Sequence, residues 1–497
     1  MDELRVVEME ATRLAGTPGD YRPLSDGDVK SINETSLRVL SEIGVKVPSP
    51  DIAALFERAG AQVDDKRAIA RIPPEIVADK VKSAPSVVKL YSRDGDHNLE
   101  LKDGNVYFGT GGTALNILDF ESGDKRPTNL EDLSHVARLV DALDNVDFLL
   151  LPTYPNELPV DDVDVNRFYI GLLYTGKHVM GGVYTREGVS RVIEMAEQVA
   201  GSAESLRERP FISMITCMIS PLKPDVQYTQ LMIDIAERGI PVAVPAEPLC
   251  GATGPVTIAG NLVMQNVDSL TGVVLAQTVN PGTPVIYGSV ASSTNLRNMS
   301  YLCGSVEMGL LNAAGAQMAS FYGLPYYATA GATDSKVVDA QSAYESAMTS
   351  LMTGLAGAHF IHDAAGLMEF AMTVSLAKYV IDNEILGMVK RAVKGIRVDS
   401  EALAFKAIKD AGPGGDFISS PHTVNNMRRE HYLPELSDRM ERGDWERFGS
   451  KDTLARARDK VSNILGAAAK EYLGEEVKDR IVSEFPEIAD REAETLT

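Results

Sequence analysis

Eight short apolar runs constrain this chain more than any other feature. They start at Val106 (VYFGT), Asp147 (DFLLLPTYP), His178 (HVMGGV), Phe211 (FISMITC), Pro241 (PVAVPAE), Val285 (VIYGSV), Tyr326 (YYATAG) and Ala358 (AHFIHD), 30 to 44 residues apart. A strand, a crossover helix and two loops need about 30 residues or more, so each interval holds one βα unit. The runs are continuous rather than alternating, as strands covered on both faces must be. Helical patterns fill the intervals. TNLEDLSHVARLVDAL begins with a capping box of Thr128 and Glu131, and two others stop at Gly201 and Gly239. Eight such units with no evident hairpin predict an α/β fold, a closed (β/α)8 TIM barrel over residues 105–395. An open doubly wound sheet is the alternative. It would carry a three-glycine phosphate loop after its first strand. GTGGTA, from Gly109, lacks the third glycine, and no helix follows it at once.

The flanks read as helical. In the N-terminal extension, 1–104, Ser25 caps a run whose Val29, Ile32, Leu37, Leu40 and Ile43 share one face before Gly44. Residues 50–59 and 73–82 repeat the pattern, and strand-like pieces lie at 87–91 and 99–101. The C-terminal region, 396–497, covers or flanks the barrel. It has a Gly/Pro loop, AGPGGDF, and an amphipathic run over 451–473.

Charge narrows the partners. The 497 residues carry 70 Asp or Glu against 48 Lys or Arg, a net charge of −22. Such a surface repels nucleic acid and anionic membranes. Cys217, Cys250 and Cys303 form no close pair, which fits a reducing compartment. The first residues, MDELRVVEMEATRLAG, lack the apolar core of a signal peptide, and the longest apolar stretch, 211–219, is too short to span a bilayer. A cytoplasmic protein is expected. The small-residue run GLLNAAGAQMAS at 309–320 permits close helix contacts, within the barrel's outer layer or in a homo-oligomer.

In a barrel of this kind the active site lies at the C-terminal ends of the strands. Glycine occurs at four of those eight ends, leaving room for a bulky flat partner. Metal chemistry has little support. The first strand has no His-x-His pair, His359 and His362 point to opposite faces, and His178 sits at a strand start. Lys336, in TDSK, is placed for a Schiff base but reads equally as the first turn of a helix capped by Thr333 or Asp334. GPGG at 412–415 has no Lys-Ser/Thr after it and is no P-loop. Glu247 is the best single carboxylate, directly after the fifth strand in a proline-bounded turn, and could face a cation. Tyr154, Tyr287 and their neighbours bring ring faces to the strand ends, where each contributes roughly 0.5–2 kcal/mol to holding a quaternary ammonium.

Several segments together resemble a known family. GATGPVTIAGNLVMQN, TVNPGTPVIYGS, FYGLPYYATAGATDSKVVDAQSAYESAM, LAGAHFIHDAAGLMEF and VIDNEI follow in order, and GPGGDF with HTVNNMRREHYLPELSDR continues the likeness in the tail. The set is similar to the trimethylamine methyltransferase family, corrinoid-dependent enzymes on a TIM barrel. The resemblance implies transfer of a methyl group from a methylated amine to the Co(I) of a corrinoid held by a separate protein, with no cofactor bound tightly by the chain itself. Archaeal trimethylamine enzymes carry pyrrolysine near the end of strand seven. This chain has only common residues there, AGATDSK over 330–336. Members without pyrrolysine are similar to demethylases of quaternary amines such as glycine betaine, whose nitrogen departs neutral without help. A substrate carboxylate would need a donor, for which Ser289, Thr333, His362, Lys336 and Arg297 are candidates. The expected substrate site thus comprises Tyr154, Glu247, Tyr287, Ser289, Gly331, Thr333, Asp334 and His362. No residue stands out as a catalytic acid or base. A tertiary amine donor such as trimethylamine, a corrinoid-independent lyase or aldolase barrel, and a non-catalytic betaine-binding barrel are the competing readings.

Overall fold

A computed structural model describes residues 19–489; the segment read above as lacking a signal peptide lies outside them. Each of the eight apolar runs contains one strand: β1 Tyr107–Thr110, β2 Phe148–Leu150, β3 His178–Gly182, β4 Ile212–Ile215, β5 Val242–Ala246, β6 Val285–Ser289, β7 Tyr326–Thr329 and β8 Phe360–Ala365. All neighbours pair in parallel, and β8 closes onto β1. The chain is a (β/α)8 barrel.

Two kinds of apolar residue alternate along the strands. Phe148, Leu150, Met180, Ala243, Ile286, Tyr327 and Phe360 pack inside the barrel. Their immediate neighbours along each strand face the helices, as a pleated strand requires. Phe148 and Phe360 stack with ring centroids 3.6 Å apart. The antiparallel hairpin of Val88–Leu90 and Leu99–Leu101 joins this inner cluster and stops the barrel at the N-terminal ends of the strands. Its next residue, Tyr91, bonds to the chain just before β4 and offers its carbonyl to His178 Nδ1. His178 Nε2 lies 2.7 Å from Ser213 Oγ. Burial pushes the His178 pKa down to about 3, so the ring is neutral and structural.

Three local expectations are corrected. The capping box of the helix Leu130–Ala142 is Asn129 with Asp132, one residue later than predicted. Thr128 is otherwise engaged, its hydroxyl donating to the Tyr154 carbonyl at 2.6 Å. The N-terminal extension is not all helix. A three-stranded antiparallel sheet joins Val45–Lys46, Gln62–Asp64 and Ile69–Arg71, strands too short to show a period. In the tail the predicted run over 451–473 is helical only over Thr453–Gly466. Beyond it, Tyr472 is drawn onto the barrel: its N–H bonds to Leu173 O and its hydroxyl to Asp141. Tertiary contact overrides the helix propensity of AAAKEYL. The small-residue run at 309–320 lies in the helix Val306–Tyr322, with Gly315 against the Tyr326 ring, so it serves the barrel's own outer layer.

Candidate functional site

The inward parity of β5 runs through Ala243 to Glu247 and aims that side chain into the barrel mouth. Glu247 combines two properties that seldom coincide. Water reaches it, yet enough protein surrounds it that desolvation, with the charge of Asp363 adding, pushes its pKa up to about 7. That is the situation of a carboxylate crowded by protein on most sides and open to water on one.

The same two charges reach the other walls. Cys217, after β4, is driven up to about 12 by burial, then by Glu247 and Asp363. The phenols of Tyr301 and Tyr327 are raised by burial first, and both carboxylates add to it. Tyr228 is raised by burial, with Cys217 and Glu247 among the smaller causes. The two carboxylates, the thiol and the three phenols thus lie near enough to feel one another's charge. Tyr301 belongs to a hairpin, Ser292–Asn295 with Ser300–Leu302, that rises after β6.

Asp363 faces this space through a deviation in β8. The strand slips register between Ile361 and Ala365, and Asp363 has φ +62°. Phe360 and His362 hold the inward parity, so a regular strand would turn Asp363 outward. The bulge re-aims it. A left-handed, non-glycine backbone costs about 1–3 kcal/mol and is a recurrent feature of functional sites. Gly111 makes room for it: a Cβ there would lie 1.7 Å from Asp363 Oδ1.

His362 stacks on Tyr327 with centroids 4.2 Å apart, and its Nδ1 lies 2.9 Å from Asp363 Oδ1. Its Nε2 pairs closely with Thr329 Oγ1, whose hydroxyl also reaches the Ser289 carbonyl at 3.2 Å. Three buried polar atoms here have no hydrogen-bond partner within the protein: Tyr327 Oη, His362 Nδ1 and Asp363 Oδ1. The Nδ1–Oδ1 approach is close but lacks hydrogen-bond geometry. Since nearly all buried polar groups are normally satisfied, this group on β7 and β8 fits a place for a polar ligand.

Of the predicted residues, Glu247 and His362 line this space. Tyr154 stands at its rim, edge-on to Tyr184 at 5.5 Å. Arg167 lies 5.5 Å from the Tyr184 centroid and braces the loops through Leu151 O, Gly182 O and Thr113 Oγ1. The others are placed elsewhere. Tyr287 has the opposite parity to Ile286 and points outward, its hydroxyl 2.8 Å from Asn266 Oδ1. Ser289 shares that parity and caps the turn at Ala291 N. Thr333 donates to Glu345, and Asp334 accepts from Cys303 N at 2.8 Å, so both pin the loop after β7. Lys336 is exposed over the Phe370 ring at 4.0 Å and donates to Asp334 O. Arg297 is exposed at the turn of the Tyr301 hairpin. Sequence reasoning placed Cys217 and Asp363 at strand ends without assigning either to the site, and it missed Tyr301, because a loop hairpin leaves no periodic trace.

Gly331 has a backbone role, with φ +90° and a virtual Cβ 2.5 Å from Ala364 Cα. Gly331→Ala is expected to destabilise the chain by about 3 kcal/mol or more, read by denaturant unfolding; a change under about 1 kcal/mol would show that the loop can move aside.

Among the described residues no three His, Cys, Asp or Glu converge in a way that could hold a metal ion, and no helix is long and apolar enough to cross a membrane.

The comparisons with known proteins agree on a family. The family described as Trimethylamine methyltransferase (MTTB) matches residues 3–495. A trimethylamine methyltransferase MttB of Desulfitobacterium hafniense (strain DSM 10664 / DCB-2) is 35% identical, over 99% of this chain and 97% of its own length. A glycine betaine methyltransferase of Desulfitobacterium hafniense (strain Y51) is 33% identical, over 93% and 96%. Among solved structures, the Methanosarcina barkeri monomethylamine methyltransferase (MtmB) superposes with a TM-score of 0.52 at 13% identity, over 91% of this chain and 90% of its own, a likeness of fold. With nearly the whole length matched on both sides, this chain belongs to the trimethylamine methyltransferase family.

Proposed function

We propose that this chain takes a methyl group from a quaternary ammonium, glycine betaine or a related betaine foremost, and passes it to a corrinoid carried by a cognate protein. The observation that carries this reading is Glu247, a water-accessible carboxylate among the Tyr228, Tyr301 and Tyr327 rings with Asp363 across from it. Carboxylates supply the counter-charge for a fixed cation. Ring faces add cation–π attraction of roughly 0.5–2 kcal/mol each. The 33% identical glycine betaine methyltransferase supports the same substrate class.

The chemistry asks little of acid–base groups. A nitrogen with four carbon substituents leaves as a neutral tertiary amine once one methyl departs, so no proton need be delivered. When docked, the corrinoid would supply the low-valent cobalt that accepts the methyl group. The residues present suit it: the loops around the mouth expose Leu115, Val160, Val256, Leu296, Met299 and Val337. An apolar rim of this kind is what a docking protein covers. The chain's own work is to hold the N–CH3 bond toward that opening and to shut water out.

Calorimetry tests the substrate class. Glycine betaine is expected to bind about tenfold or more tightly than its neutral isostere with carbon in place of nitrogen. Equal affinities would contradict a cation site.

The raised pKa of Glu247 sets the pH response. Glu247 is neutral below about 7 and charged above it. A cation prefers the charged form, so KM should fall as pH rises from 6 to 8, approaching tenfold per unit on the acid side. Without ligand the sign for stability is opposite: a carboxyl raised from 4.5 to about 7 favours the fold below 4.5, and that contribution is lost as pH rises through 7. KM profiles of the wild type and Glu247→Gln check this; a slope that survives in the variant would locate the titration elsewhere.

A further inference from the structure

The phenol of Tyr301 feels the charge of both Glu247 and Asp363, yet the residue belongs to no barrel strand. It sits on the outer strand of a small sheet at the mouth. Leu249–Cys250, which begins just after Glu247, pairs in parallel with Ser292–Asn295. That strand pairs antiparallel with Ser300–Leu302, placing Tyr301 opposite Thr294. The outer strand is half-buried throughout, and strands this short do not hold their own place in water. The tip of the hairpin offers little anchorage, since Leu296 and Met299 there are largely exposed.

The root of the hairpin is fixed instead. Cys303 is fully buried, and both its donors converge on one oxygen of Asp334. The backbone N–H lies 2.8 Å from Asp334 Oδ1 and the thiol 3.2 Å from it. Asp334 is held in turn, its N–H donating to Glu345 Oε2 at 2.9 Å. Thr333 adds its hydroxyl to the same oxygen, and Gln341 donates to Glu345 Oε1 at 2.9 Å. Gly304 lets these parts close up: a Cβ there would lie 2.1 Å from Glu345 Oε2. A chain of polar contacts thus runs from the helix Ala340–Leu355, through the loop after β7, to the strand that carries Tyr301. A ring that must be ordered on binding loses part of its attraction to the cost of ordering it. A ring already anchored does not.

We infer, resting on the quaternary-amine reading above, that Asp334 is a positioning residue: by fixing Cys303 it holds the Tyr301 ring against the bound ammonium, and that ring sets much of the preference for a positive nitrogen. Calorimetry of the full-length chain with glycine betaine, and with its isostere carrying carbon in place of nitrogen, reads this. Tyr301→Leu is expected to weaken glycine betaine roughly 3- to 30-fold and to leave the isostere little changed. Asp334→Ala should follow the same pattern, and the double variant should bind no worse than the weaker single one, because both act through one ring. Asp334→Asn keeps an oxygen for Cys303 and is expected within about twofold of the wild type. Should Asp334→Ala fail to unfold cooperatively in denaturant, Gly304→Ala disturbs the same turn from the side of Glu345, and Tyr301→Leu should absorb its loss likewise.

Equal losses for both ligands in Tyr301→Leu would make the ring ordinary packing and overturn the inference. So would losses that add in the double variant. An Asp334→Asn as weak as Asp334→Ala would show the Asp334 charge acting on the cation directly, and equally overturn it. A wild type with no preference for glycine betaine contradicts the proposed function, and this inference with it. A wild type that has the preference while Tyr301→Leu keeps all of it contradicts this inference alone.

Discussion

Glu247→Gln is expected to raise KM for a quaternary amine about 10- to 100-fold, the loss that follows when a charge-assisted contact of about 1.5–3 kcal/mol is removed. Glutamine keeps the size and the hydrogen-bonding oxygen and removes only the charge. Because substrate and transition state share the fixed cation in its early course, KM should move more than kcat. Asp363→Asn is the useful companion. It sits on a backbone at φ +62° that asparagine tolerates, so the fold is kept while the second negative charge is lost. With Asp363 neutral, Glu247 loses one of the two causes that raise its pKa, and the pH at which KM begins to climb should move downward. An unchanged KM in Glu247→Gln would return that residue to an ordinary loop carboxylate.

Lys378→Met is expected to cost about 3–5 kcal/mol of stability, because it leaves a buried carboxylate without its counter-ion. Lys378 Nζ lies 2.8 Å from both Asp382 oxygens, and both side chains are 1% exposed. Burial raises the Asp382 carboxyl, and the Lys378 charge opposes that rise. The pair also ties two mouth loops together. Asp382 accepts from Gly366 N at 2.7 Å, after β8. Lys378 donates to Ser346 Oγ, which donates to the Gly331 carbonyl after β7. The double variant Lys378→Met with Asp382→Leu should recover most of the stability, since two apolar groups replace a pair that was costly to bury. Denaturant unfolding of the three proteins gives the coupling. If the single variant loses under about 1 kcal/mol, water reaches Asp382 and the pin is not buried in solution.

The barrel was legible because buried parallel strands leave continuous apolar runs at a spacing that only βα units fill. Which face of each strand turns inward was less so. Tyr287 and Tyr327 look alike as strand aromatics, but Ile286 and Gly288 take the inward parity of β6 and send Tyr287 to the helices, whereas Tyr327 takes it in β7. Glu247 was legible as a carboxylate at a strand end, and the alternation of β5 carries it inward. Asp363 was not, because its orientation depends on a register slip that no pattern of side chains encodes. Thr333 and Asp334 were read as ligand-facing polar groups, yet Glu345 and Cys303 engage them within the chain. A polar residue at a strand end is as readily a loop pin as a binding group, and only its partners decide between them.

The most direct test combines the purified chain with its corrinoid protein in the reduced state and each amine in turn, following the Co(I) absorbance and the demethylated product. Glycine betaine or another betaine is predicted to consume the Co(I) signal and yield its dimethyl amine, while trimethylamine leaves it unchanged. Reaction with trimethylamine while every betaine is inert would contradict the account.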